Sequence, residues 1–237
     1  MENLGYYNGT FGPIEEMIIP MNDRVCWFGD GVYDAGPARN YQIFALDDHL
    51  DRFYNSARLA GIEIPMPREE LADLLRDLVK KVDAPEHFVY YQCTRGTAPR
   101  KHDYVEGPGN LWVTITPQTM PDGTKRIKLR SEPDTRFYHC NVKTLNLLPA
   151  VMSSQAAKRE GVFETVYYRK DMGNRVTECA HSNVSMILGD ELWTAPLDEL
   201  ILPGIARKHL IAAAKRLGIG VHEEAFDLDT LRGAQEM

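Results

Sequence analysis

Hydrophobic positions recur along this chain with two different periods, and the alternation between them separates helices from strands. In residues 67–82, Leu71, Leu74, Leu75, Leu78 and Val79 fall on one helical face and predict an amphipathic helix. Residues 47–60 carry a second such face, built from Leu50, Phe53, Tyr54 and Ala57, with Asp47 or Asp48 placed to cap it. Two further helices are expected over residues 150–159, after Pro149, and over 205–217, after Leu202-Pro203-Gly204. Short apolar runs predict strands at 88–94, 111–115, 127–129, 162–168, 176–178, 184–188 and 192–194. Asn8-Gly9 marks a hairpin turn within residues 6–21, and Phe28-Gly29-Asp30-Gly31-Val32-Tyr33 a bend entering an extended segment. The turn-rich stretch 117–125, with Pro121-Asp122-Gly123, is the expected boundary between two domains, residues 1–119 and 120–237. Strands cluster in both halves without regular βαβ alternation, so the fold class is α+β.

Composition narrows the function classes. The chain has 237 residues, 43% of them hydrophobic, and a formal net charge of -7. That balance offers no basic footprint for nucleic acid, and no apolar run reaches the length of a membrane span. The opening residues lack the charged-then-apolar layout of a signal peptide. Cys26, Cys93, Cys140 and Cys179 are widely spaced and show no metal-ligand pairing. A cytoplasmic protein with free thiols and no metal is the simplest expectation. Gly29-Asp30-Gly31 is too short to count as a dinucleotide fingerprint.

Candidate chemistry centres on Lys143, in Cys140-Asn141-Val142-Lys143-Thr144-Leu145-Asn146-Leu147-Leu148-Pro149. An amine among apolar neighbours is partly desolvated, which lowers its pKa and prepares it to attack a carbonyl. Taken alone, a lysine in such a run more often extends its stem to reach water. Three other segments bear on it. In Val176-Thr177-Glu178-Cys179-Ala180-His181-Ser182-Asn183-Val184 a carboxylate ends a strand before a polar loop. Leu200-Ile201-Leu202-Pro203-Gly204-Ile205-Ala206-Arg207 is a turn opening a helix, whose first amides at Ile205 and Ala206 suit an anion. Asp48-His49-Leu50-Asp51-Arg52 adds a guanidinium for phosphate.

As an ordered set, these segments resemble the fold-type IV pyridoxal-phosphate enzymes, which include D-amino-acid and branched-chain aminotransferases and aminodeoxychorismate lyase. The resemblance runs from about residue 7 to the C-terminus. It implies a two-domain fold, each domain a mainly antiparallel sheet or barrel with flanking helices, and pyridoxal 5'-phosphate as cofactor. It also implies that Lys143 holds the cofactor as a Schiff base and then moves the substrate proton. Glu178 would pair with the pyridine nitrogen, Leu202 would pack on the ring, and Arg52 with the Ile205 and Ala206 amides would hold the phosphate. Thr94-Arg95-Gly96-Thr97-Ala98-Pro99-Arg100-Lys101-His102 resembles the loop by which D-amino-acid aminotransferases trap a substrate carboxylate across a dimer interface. Arg100, His102 and Tyr33 match its members, and Arg136 matches a further substrate-site arginine.

The resemblance therefore implies a homodimeric aminotransferase that moves amino groups between D-amino acids, such as D-alanine, D-glutamate or D-aspartate, and 2-oxo acids. An L-branched-chain aminotransferase, an aminodeoxychorismate-type lyase and a cofactor-binding dimer without turnover remain open at this point. Three departures stand out. Ala206 stands where the subfamily often has a hydroxyl, removing a hydrogen bond of roughly 0.5–1.5 kcal/mol. Cys179-Ala180-His181 replaces a small serine-rich loop, so that His181 lines the site or fills a structural role. Met237 falls before the family's usual last strands, which carry another phosphate-binding turn.

Overall fold

The computed structural model describes all 237 residues. They fold into two compact units: Met1–Gly123 with Val142–Asn146, and Thr124–Asn141 with Leu147–Met237.

The first unit is built on a six-stranded antiparallel sheet. Its strands are β1 (Leu4–Tyr7), β2 (Thr10–Gly12), β3 (Gly31–Arg39), β4 (Gln42–Ile43), β5 (Glu86–Thr94) and β6 (Asn110–Pro117), ordered β2-β1-β6-β5-β3-β4. Asn8 and Gly9, both at positive φ, make the turn that pairs Tyr7 with Thr10. A short helix, α1 (Arg24–Phe28), precedes β3, and two longer ones, α2 (Leu46–Ala60) and α3 (Arg68–Val79), join β4 to β5. Because side chains alternate across a strand, Val89, Tyr91 and Cys93 of β5 share one face with Leu111, Val113 and Ile115 of β6. That face buries Leu50, Phe53 and Ala57 of α2 and Leu71, Leu75, Leu78 and Val79 of α3 in a single core. Asp47 and Asp48 stand in the first turn of α2, where they meet the positive helix end, while Ala45 occupies the cap.

Two three-stranded sheets organise the second unit. One is ordered β7 (Leu129–Pro133), β8 (Glu164–Arg169), β9 (Arg175–Cys179), and the other β10 (Ser185–Leu188), β11 (Glu191–Thr194), β12 (Val221–Glu223). Each joins a parallel pair to an antiparallel pair, a departure from the mainly antiparallel expectation that local alternation has no means of signalling. β7 also begins two residues later than expected, because its ladder with β8 starts at Leu129↔Glu164 and leaves Ile127 exposed. Helices α4 (Leu148–Glu160), α5 (Ile205–Arg216) and α6 (Leu228–Arg232) complete the unit. Its largest core gathers Val166, Val176, Val184, Met186, Ile201, Phe226 and Leu231.

The lysine segment departs from the expected domain division. Residues 142–146 group with the first unit because β4 covers only the far end of β3 and leaves the backbone edge at Gly31–Tyr33 unpaired by a strand. The Tyr33 amide donates to the Lys143 carbonyl at 2.9 Å, and the Leu145 amide donates to the Gly31 carbonyl at 3.1 Å. An exposed sheet edge is a ready partner for extended backbone, and a lone bridge between Val32 and Thr144 completes the pairing.

Candidate active site

In the first unit the chemistry gathers around β3. Lys143 is held by its backbone at both ends: its amide donates to Ser56 Oγ at 3.1 Å, its carbonyl accepts from Tyr33, and Val142 before it packs into the core. Its side chain places Nζ 4.2 Å from the centre of the Tyr33 ring. The ring's negative face favours a cation there. Tyr33 in turn stacks on Tyr90 at 5.4 Å, and the Tyr90 hydroxyl donates to Gln92 Oε1 at 2.6 Å. Burial, together with neighbouring Tyr33, pushes the Tyr90 phenol well above its usual range. Two stacked phenols thus form a floor under the amine.

Behind this floor lies a buried carboxylate absent from the sequence-based expectations. Asp34, the next residue of β3, points to the opposite face and is fully buried. Arg52 grips it with two hydrogen bonds, Nε to Oδ2 and Nη2 to Oδ1, both 2.8 Å. His49 Nδ1 lies 2.7 Å from Oδ1, and the Ala35 amide donates to the same oxygen at 2.8 Å. Burial pushes the Asp34 carboxyl upward, but hydrogen bonds from Arg52 and His49 and the Arg52 charge outweigh it and hold the pKa below the usual value. The arrangement depends on Gly36, two residues along the same face: a Cβ there would lie 2.8 Å from His49 Nε2. Arg52, expected to bind phosphate, is therefore oriented by a fixed two-point pair. The available signal was an acid at an inward position of a strand, with His and Arg three residues apart on the following helix.

The loop expected to trap a carboxylate gathers around Phe28. The Arg100 guanidinium lies 5.1 Å from the centre of that ring and the His102 ring 5.1 Å from it, and both residues are exposed. The Phe28 ring also carries buried Arg24 at 5.0 Å, whose Nη1 donates to the Lys101 carbonyl at 2.6 Å. Asp30 serves both Arg24 and Arg95, and Arg95 donates to the Ala60 and Gly61 carbonyls. The loop's backbone is thus anchored while its two basic side chains stay accessible.

The second unit centres on Glu178, at the end of β9 and buried. Oε1 accepts from Arg136 Nη1 at 2.5 Å, while Oε2 accepts from Asn183 Nδ2 at 2.9 Å and from the Leu202 amide at 3.0 Å. Burial pushes its carboxyl pKa upward and wins over the opposing pull of Arg136 and the Leu202 amide. Arg136, expected at the substrate, has its guanidinium engaged within this unit. Nε and Nη2 clamp Asp134 at 3.0 and 2.9 Å, Nη1 reaches Glu178, and the guanidinium lies 4.6 Å from the Tyr167 ring centre. Burial disfavours the Arg136 charge, yet Asp134 and Glu178 overcome that and raise its pKa further. Asp134 is itself oriented by Thr177 Oγ1, which donates at 2.9 Å.

The turn after Leu202 leads directly into α5. Gly204 provides no side-chain cap, so the first amides, at Ile205 and Ala206, open onto the positive end of a twelve-residue helix. His181 is 57% exposed, and its amide donates to buried Glu164 Oε1 at 2.6 Å. Its backbone is therefore structural while its ring remains accessible. Each unit by itself offers groups that suit part of pyridoxal phosphate: the first an amine beside an aromatic ring and an arginine set by a buried acid, the second a buried carboxylate and uncapped amides at a helix start. No group of three or more His, Cys, Asp or Glu side chains is arranged to hold a metal, and no helix is long and apolar enough to cross a membrane.

Residues 31–237 match the family model for amino-transferase class IV. A D-alanine aminotransferase of Listeria monocytogenes is 37% identical over 229 residues, covering 94% of this chain and 78% of that protein. Another, from Bacillus licheniformis, is 33% identical over 237 residues, covering 98% and 82%. Among solved structures, the branched-chain aminotransferase of Thermoproteus uzoniensis with norvaline superposes at a TM-score of 0.86 and 20% identity, covering 98% of this chain and 80% of the other. The branched-chain amino acid aminotransferase of Escherichia coli reaches 0.87 at 19%, covering 99% and 81%. At that identity the structural likeness shows the fold.

Proposed function

Because the chain belongs to the class IV aminotransferases, we propose a division of labour among its residues for the transfer of amino groups between D-amino acids and 2-oxo acids. The protein is a pyridoxal-phosphate-dependent aminotransferase, and the observation that carries the D-amino-acid assignment is its similarity, over 94–98% of this chain, to D-alanine aminotransferases. Bound pyridoxal phosphate supplies an electron sink for the negative charge left when the amino acid loses its Cα proton.

Lys143 Nζ would hold the cofactor, and the same amine would move the substrate's Cα proton. Its backbone, fixed to β3 and to Ser56, limits the positions Nζ explores, and such positioning is what a proton transfer requires. Tyr33 supports the amine from below. Arg52, oriented by Asp34, holds the phosphate, and the Ile205 and Ala206 amides add neutral donors. Ala206 contributes no hydroxyl to that grip. Glu178 offers its carboxylate to the ring nitrogen, and Leu202 packs on the ring. Arg100 and His102 hold the substrate carboxylate. Arg136, its guanidinium engaged by Asp134 and Glu178, acts by orienting Glu178.

The same reading makes the protein a cytoplasmic homodimer. Leu147, Leu148, Val151 and Met152, at the start of α4, are all exposed and form an apolar surface suited to a second copy. Four free cysteines suit a reducing compartment.

The test is the visible absorption of protein loaded with pyridoxal phosphate, followed on adding D-alanine, L-alanine or L-leucine. The band is expected to change with D-alanine alone and to return with a 2-oxo acid. A change with L-leucine alone would assign the protein to the branched-chain enzymes. A change with neither enantiomer would refute the D-amino-acid assignment.

A further inference from the structure

Asn183 has no role in the functional assignment so far, yet it links the parts of the second unit assigned to the cofactor. Nδ2 donates to Glu178 Oε2 at 2.9 Å and to the Leu202 carbonyl at 2.9 Å. Both of its amide hydrogens are thereby used on acceptors, which fixes the orientation of the carboxamide: exchanging nitrogen and oxygen would set Oδ1 against a carboxylate and a carbonyl. Oδ1 instead faces Gly204, where a Cβ would lie 1.8 Å away. Gly204 sits at φ -67° and ψ 139°, an extended conformation open to any residue. Glycine is needed there for space alone, and the space is filled by the Asn183 amide.

We propose that Asn183 is a positioning residue that couples the two ends of the cofactor seat: one amide group orients the Glu178 carboxylate for the ring nitrogen and fixes the Leu202–Gly204 turn that presents the Ile205 and Ala206 amides. This rests on the reading of Glu178 and of the α5 amides given above. Glu178 alone could be held by Arg136 and the Leu202 amide, and the turn alone could be held by the backbone of α5. The Asn183 side chain bridges both, so its loss disturbs ring and phosphate recognition together.

Both ends are measurable in the 237-residue, cofactor-free protein. Pyridoxal phosphate, pyridoxal and inorganic phosphate are titrated separately, the last by its competition with pyridoxal phosphate. Asn183→Ala removes two hydrogen bonds, one of them to a charged group, and is expected to weaken pyridoxal phosphate roughly ten- to a hundredfold, with pyridoxal and phosphate both weakened. Gly204→Ala is expected to produce the same double loss, because the added methyl displaces the carboxamide. In the Asn183→Ala background the clash partner is gone, so Gly204→Ala should then cost less than about threefold. The isosteric Asn183→Asp sets a second carboxylate against Glu178, so that the two share a proton. The pH at which the bound cofactor's absorption changes should then shift, an effect that loosened packing would not produce.

Weakening of pyridoxal with phosphate binding intact, or a Gly204→Ala penalty that persists in the Asn183→Ala protein, overturns the coupling. Should Asn183→Ala fail to fold, Gly204→Ala and Asn183→Asp decide the question. Glu178→Gln separates this inference from its premise. If Glu178→Gln leaves turnover and the absorption profile unchanged, the ring-nitrogen reading fails. If Glu178→Gln cripples both while Asn183→Ala changes nothing, the role of Asn183 alone is refuted.

Discussion

Asp34→Asn isolates the buried acid behind the lysine. The substitution keeps shape and volume but replaces an anion that accepts four hydrogen bonds with a neutral amide. Its new NH2 group faces guanidinium donors, so the Arg52 charge, on a side chain 8% exposed, loses the counterion that orients it. Removing one partner of a buried ion pair costs about 3–5 kcal/mol. For a protein of this size each kcal/mol shifts Tm by about 2–4 °C, so the expected fall is roughly 6–20 °C. The pH dependence supplies the sign. Asp34 has a folded-state pKa below its unfolded value, so its contribution is fully present above the unfolded carboxylate pKa and is lost as pH falls through the folded one. Thermal melts of cofactor-free wild type and variant, followed by circular dichroism, should therefore be far apart at pH 7 and converge in acid. Adding Arg52→Met should recover part of the loss, because an apolar replacement removes the unbalanced charge. Equal Tm values at pH 7, or a gap unchanged by acid, would refute the reasoning.

Further outcomes follow from the rest of the molecule. Arg136→Met should raise the Glu178 pKa further, since Arg136 is the main group opposing the effect of burial. The acid limb of the kcat/KM profile should then move to higher pH, and an unmoved limb would exclude coupling between the two. Only exposed Cys26 should react quickly with a thiol reagent at pH 8. The Cys93 and Cys179 thiols, pushed up to about 12 by burial, and Cys140, pushed up to about 11, should wait for unfolding; a second fast thiol in native protein would contradict this. Light scattering should give twice the 26.9 kDa chain mass, and Leu148→Glu with Val151→Glu should bring it to one chain; a dimer that survives both would place the interface elsewhere.

Periodic patterns made most helices and strands legible before any coordinates. The stripe of Leu71, Leu75 and Leu78 predicts α3 because a helix of that length must bury such a face, and it does. Pairing partners were not legible, since the parallel ladder of β7 on β8 joins residues whose local sequence is no different from that of an antiparallel strand. The position of Lys143 was equally hidden, because nothing near it records that β3 has an edge for it to fill. In the site, motifs mark the candidate residues, whereas nothing local marks Asp34 or Asn183. Their importance comes from what they touch at a distance along the chain, Arg52 for one and Leu202 and Gly204 for the other. Periodicity and motif spacing do not resolve pairings of that kind.

The excursion of residues 142–146 back to the first unit also bears on where the chain can be cut. All six strands of that unit's sheet are complete by Pro117, and the edge at Gly31–Tyr33 is filled only by the later segment. The chain then lays the lysine along that edge and leaves again to build the second unit. Neither unit corresponds to one continuous stretch of sequence. A fragment ending at Gly123 would keep the six strands and lose Lys143, so this protein cannot be divided at its linker without separating that lysine from the sheet it pairs with.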